Sequence, residues 1–435
     1  MELNAPDTGW ILVSSALVLL MTPGLALFYG GLNRAKSVVN MMMMSFSSIG
    51  LISVLWLLYG FGIAFGEDVP LGETPGFFGN PSGLFGTVDL FAQGEGLPTW
   101  MFMAFQMMFA IITVALISGA LSDRAKFAGW LIFAAVWFTI VYAPAAHMVW
   151  GGGFVASLDV IDFAGGTAVH INAGAAALAL AIVLGRRVGW PHQSFKPHNV
   201  PFVALGAALL WFGWFGFNAG SEGAVDNVTV VAFLNTQVAT AAALLGWIIV
   251  EWIKNGKPTL VGASSGAVAG LVAITPSCAS LQPIWAVVLG LVAGALSCLA
   301  VGLKYVLKYD DSLDVFGIHF VAGWIGTLWI GLFGWNFGTD EATGEYVGEG
   351  VGLFNGGGAS QLIAQFEGAA IVSVWSFVVA LVVGFILKKV GLFRVREEQE
   401  IEGIDVHEHK ESAYETFTPV EASSSAGAHS VSSGV

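Results

Sequence analysis

Long apolar blocks restrict the fold of this chain more than any other feature. Eleven such blocks can be drawn along its 435 residues. In a helix, about 20 apolar residues cross the ~30 Å hydrocarbon core of a bilayer. Because lipid offers the backbone no hydrogen bonds, each block has to satisfy its own polar groups and is expected to be helical. Only 11% of the residues are charged, whereas soluble domains contain about 25%. The sequence therefore predicts an all-α polytopic membrane protein embedded in a lipid bilayer.

The basic residues predict the number and direction of the helices. The predicted transmembrane helices cover residues 9–31, 38–65, 99–121, 127–150, 164–185, 200–219, 228–252, 259–276, 282–306, 315–337 and 360–388. All 16 Lys and Arg residues follow an odd-numbered helix, and a miscounted helix would disturb this alternation. Since Lys and Arg collect in cytoplasmic loops, we expect eleven transmembrane helices in the cell (plasma) membrane, with the N-terminus outside and the C-terminus in the cytoplasm.

The connections on the predicted outer side are acidic. Glu67, Asp159 and Glu222 are among their carboxylates, and none of these connections contains Lys or Arg. Each carboxylate alone is explained by surface solubility. Together they predict an outer face that attracts cations and repels anions, and no nucleic-acid partner.

Local patterns that could indicate other classes are better explained by the membrane fold. The first ten residues lack the basic region of a signal peptide, so the first block is expected to be a permanent helix. Cys278 and Cys298 suggest neither a disulfide framework nor a metal site. The GASSG run, 262–266, matches a nucleophile elbow, but its glycines repeat every four residues as in close helix packing. We expect no cofactor, no metal and no enzymatic activity.

Two domains are predicted. Residues 1–389 contain the eleven helices, and residues 390–435 form a cytoplasmic tail. The first part of the tail is charged and could fold against the cytoplasmic face. The end, TFTPVEASSSAGAHSVSSGV, is small and polar, and is expected to be disordered.

A short pattern occurs twice within the apolar blocks. DFAGGTAVHINAG (162–174) and DVFGIHFVAG (314–323) each combine an Asp, a glycine and the sequence H-x-x-A-G. Asp162 and Asp314 are expected to be N-caps, since a carboxylate suits the positive end of a helix. The two helices are five apart and therefore cross the membrane in opposite directions. This predicts two inverted five-helix repeats plus a final helix.

The histidines of this pattern are the first candidate site. His170 lies about 12 Å beyond Asp162 along a helix, and His319 about 8 Å beyond Asp314, so both approach the midplane from opposite sides. A single buried histidine is usually structural. Ionisable groups within membrane spans, however, face cavities and mark pathways. Two histidines at matching positions in inverted repeats favour a shared functional site.

Four runs make the chain resemble the Amt/Mep/Rh ammonium transporter family, specifically its bacterial Amt branch. They are AHMVWGGG (146–153), DFAGGTAVHIN (162–172), GWFGFNAGS (213–221) and DVFGIHF (314–320). The resemblance extends from FYGGLNR (28–34) to the EEQE and AYE segments of the tail. It implies a homotrimer of eleven-helix protomers, each with its own pore.

The resemblance also assigns an external recruitment site. Trp150, Phe109 and Ser221 are similar to the residues that recruit ammonium in this family, and Asp162 to the essential acidic residue beside them. Aromatic faces attract a cation by ~0.5–2 kcal/mol, and a hydroxyl accepts an N–H. Taken alone, each aromatic residue is better explained by packing or an interfacial belt. Trp150 favours the Amt branch over the Rh branch.

The resemblance assigns a pore below that site. Phe109 and Phe217 are similar to a stacked phenyl gate, His170 and His319 to the twin pore histidines, and Trp214 to a tryptophan of the pore wall. A bare cation meets a large desolvation penalty in an apolar pore. Neutral ammonia avoids it and finds hydrogen-bond partners in imidazoles that both donate and accept.

The predicted function is therefore ammonium transport, with methylammonium as a second substrate. The resemblance also implies that a PII-type signal protein binds the cytoplasmic face through the tail. Two other classes are weighed. An ammonium sensor would use the same external site, although a tail of about 45 residues is short for a signalling domain. An intramembrane hydrolase is disfavoured because no triad is positioned. The sequence leaves open whether ammonia moves with or without the proton.

Overall fold

The computed structural model describes residues 4–81, 97–339 and 346–414. In these residues the chain forms eleven long helices: α1 (Ala5–Leu32), α2 (Val38–Phe65), α3 (Thr99–Leu121), α4 (Phe127–Trp150), α5 (Gly166–Leu184), α6 (Val200–Glu222), α7 (Asn227–Asn255), α8 (Leu260–Ile274), α9 (Pro283–Leu307), α10 (Phe316–Phe333) and α11 (Ser360–Lys389). Ten are long and apolar enough to cross a membrane, and α8 is a shorter apolar helix of 15 residues. The predicted eleven-helix membrane fold is confirmed.

Two strands, two short α-helices and two single 3₁₀ turns (Ala156–Leu158 and Leu353–Asn355) lie outside the long helices. The strands β1 (Trp335–Thr339) and β2 (Tyr346–Gly350) pair antiparallel, with Trp335 opposite Gly350. The short helices are α12 (Glu397–Glu402) and α13 (Ile404–His409). The predicted tenth helix, 315–337, was wrong at its end. Gly334 is extended and ends α10, and the next backbone N–H, of Trp335, donates to the carbonyl of Ser280.

Side-chain caps begin several helices where the sequence changes from polar to apolar. The Asn199 side chain accepts from the backbone N–H of Phe202 at the start of α6, and Thr259 accepts from Gly262 at the start of α8. Asp226 and Thr229 form a capping box at α7. Each cap satisfies a backbone donor that a helix leaves free in its first turn, which places these helix starts.

Small residues let the helices pack closely. A Cβ atom at Gly266 would lie 2.6 Å from Cβ of Trp247, and Gly270 lies against Ala243 of α7. On α6, a Cβ atom at Gly216 would lie 2.7 Å from Cβ of Leu17 in α1. These separations leave no room for a larger residue. The GASSG run therefore lies in a helix–helix contact, as expected.

Four of the long helices contain a π-helical turn. Two occur in α2 (Trp56–Gly60) and α4 (Phe138–Tyr142), and two begin α5 (Gly166–Ile171) and α10 (Phe316–Phe320). The latter two carry His170 and His319. π-turns are rare and concentrate at functional sites. The helical periodicity of the sequence did not predict them.

Buried ion pairs join the loops at one face of the bundle. We call it the basic face, because every Lys and Arg lies at or after the end of an odd-numbered helix. Asp123 pairs with Arg34 at 3.0 Å and with Arg187 at 3.2 Å, and Arg187 also pairs with Asp310 at 2.8 Å. Burial raises the pKa of Asp310, but the hydrogen bond and charge of Arg187 outweigh it and lower the pKa below its ordinary value. Asp310 therefore stays charged and holds Arg187 in place.

The tail folds against this basic face. The carboxylate of Asp405 accepts from the backbone N–H groups of Val39 and Asn40 at the start of α2, at 3.0 and 2.8 Å. Glu408 accepts from Phe127 at the start of α4, and Tyr414 bonds His198. Acidic tail residues thus occupy the positive ends of two helices. The rest of the predicted tail, after Tyr414, lies outside the described residues.

Candidate functional site

Two histidine rings meet inside the bundle where α5 and α10 begin. Nδ1 of His170 lies 3.3 Å from Nδ1 of His319, and the ring centroids are 5.4 Å apart. Both side chains are almost fully buried, at 1% and 2% exposure. One Nδ1 has to donate and the other accept, so the contact pairs opposite tautomers. Within the described residues, Nε2 of His170 is buried without a hydrogen-bond partner.

A column of aromatic rings leads to the histidines. Phe109 meets Trp150 edge-on with centroids 6.1 Å apart, and contacts Phe217 with centroids 4.2 Å apart and planes tilted by 32°. Phe217 in turn lies 5.9 Å from His170. We call Trp150, Phe109, Phe217, His170 and His319 the ring column. It brings together five residues from α3, α4, α5, α6 and α10.

Trp214 lies beside the ring column. Its indole stacks on His170 with centroids 5.3 Å apart and planes 18° apart, and Nε1 donates to Oγ1 of Thr275 at 2.8 Å. The stacked indole and its hydrogen bond fix the plane of the imidazole. Thr275 was not among the predicted site residues, and its place just after the short α8 carries no sequence signal.

Ser221 lies at the end of α6 away from the basic face, one turn beyond Phe217. Its hydroxyl donates to the Phe217 carbonyl at 2.8 Å, which leaves the oxygen lone pairs free to accept. Ser221 lines a cavity of about 380 Å³ together with Phe105, Gln106 and Glu222. Phe105 contacts Phe109 with centroids 4.9 Å apart, so the cavity adjoins the ring column. Ser221 itself is joined to the column through the Phe217 carbonyl rather than through Trp150.

Asp162 organises the start of α5. Its two carboxylate oxygens accept from the backbone N–H groups of Gly165, Gly166, Thr167 and Ala168, at 2.6–3.1 Å. Its carbonyl accepts from the indole of Trp150 at 2.8 Å. Burial raises the pKa of the Asp162 carboxyl above its ordinary value, against the lowering effect of these four hydrogen bonds. The N-cap expected for Asp162 is present.

The N-cap expected for Asp314 was wrong. Asp314 has a left-handed φ of 63° and pairs with Nζ of Lys304 at 2.6 Å. The buried Asp311 caps α10 instead, and accepts from the backbone N–H of Phe316 at 2.7 Å. Burial and the charge of Asp314 raise the pKa of Asp311 to about 6. Eight residues separate Asp311 from His319, as they separate Asp162 from His170. That equal spacing is the signal that would have found Asp311.

His147, next to Trp150, has a structural position. Its buried ring bonds the Ala64 carbonyl through Nδ1 at 3.1 Å and Asp68 through Nε2 at 2.8 Å. The hydrogen bond from His147 lowers the pKa of the Asp68 carboxyl. This histidine therefore joins α4 to the loop after α2 and lies apart from the ring column.

A second cavity opens at the basic face. It has a volume of about 480 Å³, and Leu32, Phe195, Val261 and Leu313 are among the residues that line it. Leu313 lies three residues before α10, which begins with the turn that carries His319. In the described part of the chain, one cavity thus adjoins the ring column beside Ser221 and another lies at the basic face near the start of α10.

Comparison with known proteins identifies the family. A sequence model described as the Ammonium Transporter Family matches residues 9–414. The chain belongs to this family. It is 53% identical to an ammonium transporter of Mycobacterium tuberculosis over 431 residues, which cover 94% of this chain and 90% of the relative. The family resemblance of the four sequence runs is confirmed.

Solved structures agree with this assignment of an ammonium transporter. Saccharomyces cerevisiae Mep2 superimposes with a TM-score of 0.81 at 32% identity, covering 92% of this chain and 89% of that one. A protein named Sensor Amt Protein superimposes with a TM-score of 0.82 at 30% identity, covering 93% and 98%. The chain is thus a multi-pass membrane protein with the Amt/Mep fold.

Proposed function

We propose that this ammonium transporter recruits ammonium at Trp150, Phe109 and Ser221, deprotonates it, and conducts ammonia past the twin histidines. The observation that carries the proposal is the buried contact between the two histidines, which a column of aromatic rings joins to the site proposed for recruitment. Whether the proton follows the ammonia is part of the test below.

The outer end of the ring column suits a cation. The faces of Trp150 and Phe109 offer ~0.5–2 kcal/mol of cation–π attraction. The Ser221 oxygen accepts an N–H, and the carboxyl group of Glu222 lines the same cavity as a second oxygen acceptor. Asp162 lies too deep among backbone donors to contact the cation directly. Its proposed role is to position Trp150 and the start of α5.

The inner part of the column suits a neutral molecule. Phe109 and Phe217 are in van der Waals contact, so one ring has to rotate before a substrate passes. An ion would lose most of its hydration at this point, at a cost of order tens of kcal/mol in an apolar medium. Ammonia has no such penalty. The imidazoles beyond the gate replace its hydrogen bonds to water, since each ring can donate and accept.

We propose that the basic face is cytoplasmic and that the protein lies in the plasma membrane as a homotrimer. Lys and Arg collect on the cytoplasmic side of membrane proteins, which would put the N-terminus outside and the C-terminus inside. All five members of the ring column come from one chain. Each protomer of a trimer would therefore have a complete pore.

Uptake of radiolabelled methylammonium into proteoliposomes tests the proposed function. Accumulation that ammonium competes away is expected, because both cations fit an aromatic site. The likeness to Sensor Amt Protein supports one other candidate, an ammonium sensor that binds without transporting. Saturable binding with no uptake would favour the sensor. Current recorded across a planar bilayer during transport would show whether the proton crosses.

Replacing Trp150 with leucine is expected to weaken both affinity for ammonium and its selectivity over potassium by roughly 2- to 30-fold, because the cation–π attraction is lost. Competition uptake measures both. Leucine also loses the hydrogen bond to Asp162, so Trp150→Phe is the matched variant: it keeps an aromatic face but has no indole N–H. Trp252→Leu, at a 60% exposed site, is the control. Unchanged affinity and selectivity in Trp150→Leu would contradict the recruitment site.

The tail is proposed as a regulatory surface for a PII-type signal protein, which would insert a loop into the cavity at the basic face. Deleting the residues after Arg396 is expected to abolish binding, because it removes both tail helices and the caps made by Asp405 and Glu408. Co-purification and calorimetry with the signal protein measure this. Truncation after Tyr414 keeps every described tail contact and is the control. If the protein that ends at Arg396 bound the signal protein with unchanged affinity, the proposed role of the tail would be refuted.

A further inference from the structure

A groove of about 480 Å³ lies on the outside of the bundle where α5 ends and α10 begins, apart from the ring column. Its walls are mainly apolar. The apolar lining consists of Leu178, Ala181, Ile182, Leu307 and Phe316. Ile182 is 50% exposed and Leu307 66% exposed, so the groove is open to its surroundings.

The path of α11 leaves this groove open on the surface of the bundle. Near its start, α11 packs on α10, where Phe366 meets Trp324 with centroids 5.6 Å apart. Near its end it packs on α5, and Nζ of Lys388 donates to the carbonyl of Val183 at 2.5 Å. Because α11 crosses from α10 to α5, it leaves the seam between them open in the half of the bundle next to the basic face. Leu178 lies about 10 Å deeper along α5 than Gly185, which corresponds to about two helical turns.

Two cations stand at the rim of the groove. Arg186 and Lys308 are both exposed. Nε of Arg186 donates to the carbonyl of Lys308 at 3.1 Å, which holds the two residues together. Among the described residues, neither the Lys308 ammonium nor the terminal nitrogens of Arg186 make a hydrogen bond or ion pair. The only carboxylate lining the groove, on Asp310, is already paired with Arg187.

We propose that this groove binds one anionic glycerophospholipid of the leaflet at the basic face, with its phosphate between Arg186 and Lys308 and an acyl chain against Leu178 and Ile182. The Arg186 guanidinium lies over the Trp190 ring at 5.4 Å, a contact that leaves its terminal N–H groups able to donate. Two cations without an ion-pair partner among the described residues, above an apolar channel, match such a lipid at both ends. Basic pockets between membrane helices on the cytoplasmic side bind anionic headgroups in this way. The arginine fork is suited to a phosphate, and the flexible lysine supplies a second charge. The positive group in the headgroup of a zwitterionic lipid would be repelled by the two cations at the same rim, so such a lipid should bind more weakly.

Native mass spectrometry of the purified protein tests this proposal. Dioleoylphosphatidylglycerol and dioleoylphosphatidylcholine are titrated separately. For each, the fraction of protein that retains one lipid molecule is compared between the parent protein and the variants. Lys308→Gln is expected to weaken phosphatidylglycerol binding about fivefold, and Arg186→Gln/Lys308→Gln about 30-fold, with no change for phosphatidylcholine. Lys254→Gln/Lys257→Gln removes two exposed cations that follow α7 at the same face but do not line the groove. It should bind like the parent protein.

Further arms identify the occupant. Glycerol 1-phosphate has the phosphate and glycerol of the lipid but no acyl chains, and it should not displace the lipid. Ile182→Gln should weaken lipid binding although it leaves Arg186 and Lys308 unchanged. Equal phosphatidylglycerol retention in the parent and the double variant would overturn the proposal, as would an equal loss in the Lys254/Lys257 control. Displacement by glycerol 1-phosphate would indicate a site for free phosphate esters and also overturn it. A changed oligomeric mass in Ile182→Gln would show that a second copy of the chain occupies the groove. That result would also overturn the proposal. Methylammonium uptake and melting temperature check that each variant folds.

Discussion

Alanine at His170 or His319 is expected to abolish selective ammonium transport while leaving the purified protein folded. The two rings share one hydrogen bond, a term worth about 1 kcal/mol to stability, whereas the helices around them are held by many close contacts. Each substitution removes one half of the donor–acceptor pair and opens space below Phe217. Ammonia would then lose its polar partner beyond the Phe109–Phe217 contact, and water or other ions would gain room.

The measurement is uptake and bilayer current with ammonium compared with potassium, on protein whose oligomeric size has been verified. His407→Ala, in the partly exposed hydrogen bond with Glu402 of the tail, is the control for histidine loss away from the column. We expect each variant to lose ammonium flux or to admit potassium. If both alanine variants carried ammonium at the parent rate and with the parent selectivity, the twin-histidine mechanism would have to be abandoned.

Asparagine at Asp162 is expected to destabilise the protein strongly and to impair transport with it. The carboxylate accepts four backbone N–H groups, two at each oxygen. An amide keeps one accepting oxygen and points its own N–H₂ group at the other two donors. Leaving two buried donors unpaired costs roughly 2–6 kcal/mol. The start of α5, which carries His170, would lose its position.

Thermal unfolding followed by gel filtration measures the loss, and uptake measures its effect on the pore. Asp159→Asn is the matched control, since it makes the same change three residues earlier at an exposed, left-handed position that asparagine accepts. We expect the control to melt and transport like the parent protein. A parent-like melting temperature for Asp162→Asn would show that the four hydrogen bonds contribute little.

The sequence by itself determined the membrane fold. Eleven apolar blocks and the alternation of basic residues can be read directly along the chain. A bilayer makes each apolar block a membrane-spanning helix, whatever that helix packs against. Even the short α8 was placed correctly. Lys257 before α8 and Lys304 near the end of α9 lie on the same face, so the chain between them has to cross the membrane twice, as α8 and α9. The end of α10 was missed, since the apolar residues Trp335 and Phe337 continue the hydropathy into β1.

Only the tertiary structure decided how the candidate site is assembled. Hydropathy treats all 32 Phe residues alike, and only the family resemblance singled out Phe109 and Phe217. Their 4.2 Å contact joins helices more than a hundred residues apart in the chain. The Nδ1–Nδ1 contact likewise depends on two π-turns, whose backbone hydrogen bonds leave no trace in an apolar pattern. Asp311 rather than Asp314 caps α10 because the left-handed backbone at Asp314 turns its carboxylate to Lys304. Side-chain direction at such positions is set by backbone torsion and by neighbours distant in sequence, which local residue patterns do not encode.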